Sequence, residues 1–115
     1  MGLLSKFLGK KDQPKLEEAV LIYLDGTGLP DQIYQEYDLS TLEDQLIDAI
    51  GAEHAGEFDG NEIGPDGATL FAYGQDADHL FSVIEPVLRD YPLCQNARVV
   101  IRKGGPGATQ TEVRI

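Results

Sequence analysis

The side chains able to do chemistry are few and scattered. Asp25 ends an apolar run, Leu21-Ile22-Tyr23-Leu24, and is followed by Gly26-Thr27. A strand-end carboxylate serves phosphoryl transfer when a second stands two residues away, one as nucleophile and one as acid. Tyr23 occupies the nucleophile's place. The Asp-Thr-Gly order that builds a catalytic aspartate dyad is also missing, because Gly26 separates Asp25 from Thr27. Asp59-Gly60-Asn61-Glu62-Ile63-Gly64 supplies the first, third and sixth positions of a calcium loop. Ile63 takes the fifth position and Leu70 the twelfth, where a bidentate carboxylate is needed, and Pro65 interrupts the loop. His54 and His79 fall on different elements, short of the converging ligands a zinc site needs. Cys94 is the one cysteine, with neither histidine near it in sequence, so it reads as structural. The glycines at 104, 105 and 107 lack the following helix and lysine of a phosphate cradle. The expectation is no catalytic residue, no metal site and no cofactor.

Charge is the loudest feature of the 115 residues, whose formal net charge is −11. Residues 16–97 carry eighteen carboxylates and one base, Arg89, whereas residues 1–15 and 98–115 are each net basic. So acidic a body repels phosphate, which argues against nucleic acid, and attracts a basic protein surface, speeding the encounter. No apolar run approaches the roughly 20 residues of a membrane span. The first residues hold Leu3, Leu4, Phe7 and Leu8 among lysines. They are too broken for a secretory signal and at most a weak membrane-surface contact. A cytoplasmic setting is expected.

The elements that must position these residues follow from periodicity. Residues 1–15 end in Asp12-Gln13-Pro14-Lys15 and read as a basic flexible segment, leaving 16–115 as a single α+β domain. Residues 19–24 are a near-continuous apolar strand, expected to be buried on both faces. Residues 29–39, with Pro30, read as a long functional loop. Ser40-Thr41-Leu42-Glu43 is a capping box opening a helix with Leu42, Leu46, Ile47 and Ile50 on its apolar face and Gly51 as its stop. Strands over 55–63 and 68–73 flank the turn Gly64-Pro65-Asp66-Gly67. A second helix begins at Asp76 or Asp78 and carries Phe81, Ile84, Leu88 and an internal Pro86. Arg98 to Arg102 is a strand, and 109–115 is an alternating edge strand. The expected core is Leu21, Ile22, Leu46, Ile50, Leu70, Phe71, Phe81, Ile84, Leu88, Val100 and Val113. In element order the chain resembles the ferredoxin-like βαββαβ sandwich, an antiparallel sheet with two helices on one face, extended by a C-terminal edge strand. A fold so widely used implies no function.

The functional expectation is a small acidic, non-enzymatic protein-binding module: an inhibitor, adaptor or immunity-type protein that engages a basic partner. Two alternatives stay open. One is a small-molecule-sensing or dimerising regulatory module, a homodimer covering the free sheet face; the other is an enzyme without a local motif. Binding surfaces place charge beside apolar anchors. Two stretches offer that mix: Asp31, Tyr34, Glu36 and Tyr37 in the 29–39 segment, and Phe58, Asp59 and Glu62 in the following strand.

Overall fold

The structure is a computed structural model that describes residues 17–115; the N-terminal segment with Leu3, Leu4, Phe7 and Leu8 lies outside them. Its strands are β1 (Glu18–Tyr23), β2 (Glu57–Gly64), β3 (Gly67–Gly74), β4 (Arg98–Arg102) and β5 (Gln110–Arg114). Its helices are α1 (Asp31–Glu36), α2 (Leu39–Ala52) and α3 (Ala77–Asp90), and a 3-10 turn, Pro92–Cys94, follows α3. The five strands form one antiparallel sheet in the order β2-β3-β1-β4-β5, with helices packed on it.

Leucine and isoleucine at four-residue steps build the helical layer. Leu42, Leu46 and Ile50 are the buried stripe of α2, and Ala77, Leu80, Ile84 and Leu88 that of α3. They meet Val20, Ile22 and Leu24 of the β1 side, Leu70 and Ala72 of β3, and Val99 and Ile101 of β4 in one cluster. Each such side chain contributes about 1.5–3 kcal/mol by leaving water. α3 starts where two carboxylates meet its free N–H groups: Asp76 accepts from the His79 N–H at 3.1 Å and Glu18 from the Ala77 N–H at 2.8 Å. Pro86 sits inside α3 on its exposed side.

Several sequence expectations are corrected. Residues 29–39 are no open loop, since they contain α1, seated by Tyr34: its hydroxyl donates to the Asp25 carbonyl at 2.8 Å and accepts from the Leu29 N–H at 3.0 Å. The capping box does not form. The N-cap is Asp38, which accepts from the Ser40 hydroxyl at 2.7 Å, and Glu43 accepts from the Asn61 amide on β2 at 2.7 Å. α2 runs through Gly51 to Ala52, and the left-handed residue after it is His54 (φ 49°). β1 is buried along its helical side, whereas on the other face Ala19 is buried and Leu21 and Tyr23 are half-buried. Because alternation reveals two faces but not which is covered, Leu21 and Phe71 fall half-buried on the far face, outside the main core; Val100 shares that face and is buried, as expected. Phe81 and Val113 lie at the core's margin.

Candidate functional site

Of the residues singled out by their chemistry, Asp25 and Cys94 are committed to the fold. Asp25 closes the turn after β1, its carboxylate accepting from the Thr27 and Gly28 N–H groups at 3.0 and 2.8 Å. Those bonds, Gly28's first and Thr27's second, hold its pKa below the ordinary 3.8. A depressed folded-state pKa contributes stability above the unfolded value that is lost as pH falls through the folded one. Asp25→Asn is therefore expected to flatten the acid limb of the stability curve below about pH 4, as measured by the urea midpoint at each pH. An unchanged slope would assign the acid limb to other carboxylates.

Cys94 is fully buried, and burial pushes its thiol up to about 12, the reverse of what a nucleophile needs. His54 occupies the turn after α2 and His79 the first turn of α3. The stretch 59–64 is strand rather than loop, so its carboxylates do not converge as a calcium loop requires. Among the described residues no three His, Cys, Asp or Glu side chains are grouped as a metal site, and no helix is long and apolar enough to cross a membrane. A hollow of about 360 Å³ at the end of α3 is lined by Tyr91, Pro92, Gln95, Asn96 and Ile115. Its charged lining is one exposed pair of sequence neighbours, Arg89 and Asp90.

The two stretches chosen as binding surfaces sit on different neighbours: α1 on the 3-10 turn, β2 on β3 and α2. Asp31 and Glu36 are exposed on α1, where Glu36 accepts from Gln32 at 3.0 Å. The aromatics there do structural work. Tyr34 pins α1 to the β1 turn, and Tyr37 stacks edge-on against Tyr91, centroids 5.6 Å apart. The Tyr91 hydroxyl donates to the Asp38 carbonyl at 2.7 Å. Phe58 packs against the core, while Asp59 and Glu62 are exposed.

The exposed anchors are two residues that the sequence reading left out of its site. Ile47 is 49% and Ile63 66% exposed, the large apolar side chains most open to water among the described residues. The Glu43–Asn61 bond ties α2 to β2, and Ile47 follows Glu43 by one turn on the same flank. Ile63 follows Asn61 by two residues on the same face of β2. Glu43, Asp44 and Asp48 neighbour Ile47 along α2, Asp59 lies on β2, and residues 16–88 contain no lysine or arginine. A sequence signal for Ile47 exists: it falls off the 42-46-50 stripe that α2 buries.

The other sheet face is the second candidate surface. No described element packs on it. Its centre holds Ala19, Leu21, Tyr23, Phe71, Tyr73 and Val100. The Arg98 guanidinium lies over the Tyr23 ring, 4.1 Å from the centroid. No protein-family model, curated protein or solved structure matches this chain.

Proposed function

We propose that the chain is a non-enzymatic protein-binding module that engages a basic partner along the flank where α2 meets β2. The observation that carries this reading is the pair Ile47 and Ile63, exposed on two elements that the Glu43–Asn61 bond ties together, within a stretch of sequence that holds many carboxylates and no lysine or arginine. Apolar side chains in such a setting supply contact area, while the charge supplies steering and orientation. β2 is an outer strand, but the irregular register between Phe58 and Asn61 and its carboxylates blunt it against strand addition. The partner is thus met by side chains rather than by backbone pairing. α1, with Asp31 and Glu36, extends the acidic field without apolar anchors of its own. The same reading takes β1–β4 with α2 and α3 as a ferredoxin-like arrangement, supported by the order β2-β3-β1-β4 in antiparallel pairs, to which α1 and β5 are additions. A single buried thiol suits a cytoplasmic setting.

The test uses a basic protein captured at low salt, released at high salt and then purified. Ile47→Ser with Ile63→Ser is expected to raise its dissociation rate about tenfold or more with the fold intact. Asp44→Asn with Asp48→Asn, and separately Asp31→Asn with Glu36→Gln, are expected to slow association and reduce its salt dependence. An on-rate indifferent to ionic strength, together with an off-rate indifferent to both isoleucines, would sink the reading.

A further inference from the structure

The sheet face away from the helices carries a charge pattern that follows from the strand order. Side chains directly opposite in an antiparallel pair share a face, so the register assigns each residue. Glu57 pairs with Tyr73 and Glu62 with Thr69, which puts two glutamates on the β2 side of this face. At the other side, Tyr23 pairs with Arg98, Ala19 with Arg102 and Arg98 with Arg114. Three arginines stand there with one acid, Glu112, which lies opposite Val100 and 3.6 Å from Arg98. Between the charged sides runs the apolar centre, where Leu21, Phe71, Tyr23 and Tyr73 are half-buried and Ala19 and Val100 are already buried within the chain. The face is acidic at one lateral edge, basic at the other and apolar between.

We infer that this face is covered by a second copy of the chain, related by a two-fold axis parallel to the strands and passing over Leu21. That operation exchanges left and right across the sheet while keeping height along the strand. It sets the β2 side of one copy over the β4–β5 side of the other, with Glu62 at the level of Arg114 and Glu57 at the level of Arg102. Leu21 meets its own image, and Phe71 lies over β4 of the partner copy at the level of Val100, which its own chain already buries. An axis perpendicular to the strands would instead set glutamates over glutamates, so charge selects between the two. Sheets stack face to face about 10 Å apart with strands inclined by about 30°, which the half-buried aromatics can fill. Five strands about 4.8 Å apart and some five residues long make a plane of roughly 24 by 17 Å, about 400 Å² per copy, which is below the range of permanent interfaces and in that of weak, transient ones. The dimer is therefore concentration-dependent. It uses a different surface from the α2–β2 flank, so either proposal can fail without the other.

Sedimentation velocity on the full chain tests it by charge exchange. Wild type should self-associate with a dissociation constant of about 10–100 µM. Arg102→Glu with Arg114→Glu makes both lateral edges acidic; Glu57→Lys with Glu62→Lys makes both basic. Each doubly substituted chain alone should associate at least about tenfold more weakly, with unchanged far-ultraviolet dichroism. Mixed in equal amounts, the two should form a heterodimer within about threefold of the wild-type affinity, because both edges are again complementary. A monomeric wild type at about 300 µM overturns the inference, including the case in which residues 1–16 of the same chain cover the face. So does self-association that neither double substitution weakens, or a mixture that fails to recover.

Discussion

Leu46→Ala in α2 and Ile84→Ala in α3 are each expected to lower the free energy of unfolding by about 2–5 kcal/mol. Both side chains have no exposed surface and sit between their helix and the sheet. Truncation removes their transfer free energy and leaves a cavity that the sheet cannot collapse to fill. Domains of this size have about 5–15 kcal/mol in total, so either change consumes a large share. The internal control is Ile47, next to Leu46 in the chain but exposed. Ile47→Ala should stay within about 0.5 kcal/mol. Urea unfolding of the three variants decides the point. Equal losses at 46 and 47, or losses below about 0.5 kcal/mol at both 46 and 84, would mean that the buried faces are misassigned.

That contrast marks where sequence reading reaches and where it stops. Periodicity located α3, with its cap narrowed to Asp76 or Asp78, of which Asp76 is the cap, together with the β2–β3 hairpin and β5, whose alternation puts Val113 inward and Glu112 and Arg114 outward. Each of these rests on local spacing. Whatever depends on competition between partners was not legible. Ser40-Thr41-Leu42-Glu43 has the letters of a capping box, but Asp38 takes the cap position and Asn61 takes Glu43. α1 is six residues long, too short to be stable alone, and exists because Tyr34 bonds both sides of the β1 turn. Those bonds remove Tyr34 as a free anchor, as the edge-on contact with Tyr91 removes Tyr37 and packing against the core removes Phe58. Ile63 belongs to the expected strand, and only the assembled layers leave it bare at the α2–β2 flank. The charge division of the far sheet face depends on strand order, which spacing does not encode.

Gly67→Ala is expected to be as damaging as a core truncation, although it adds a methyl group rather than removing several. The chain leaves β1 across the turn between β2 and β3. Leu24 N–H donates to the Ala68 carbonyl and Gly26 N–H to the Asp66 carbonyl, each at 2.9 Å. That crossing brings backbone against backbone. A Cβ on Gly67 would run into the Leu24 carbonyl oxygen and come within 2.9 Å of the Gly26 nitrogen. Neither neighbour is a side chain that can swing aside. The φ of +147° at Gly67 adds a conformation that a residue with a Cβ resists. Clash and backbone strain together should cost about 2–4 kcal/mol, a fall in melting temperature on the order of 10–20 °C. Gly51→Ala is the matching test of sign. Gly51 lies inside α2 with open space where a Cβ would go, so alanine should stabilise by about 0.5–1 kcal/mol. If Gly67→Ala were neutral, the β1 exit would not be packed on the hairpin. β2 would then lose the support that keeps Glu62 on the far face and Ile63 on the flank. Amide exchange of Leu24 and Gly26 reads this directly: in Gly67→Ala both should lose protection relative to wild type by more than the global destabilisation accounts for.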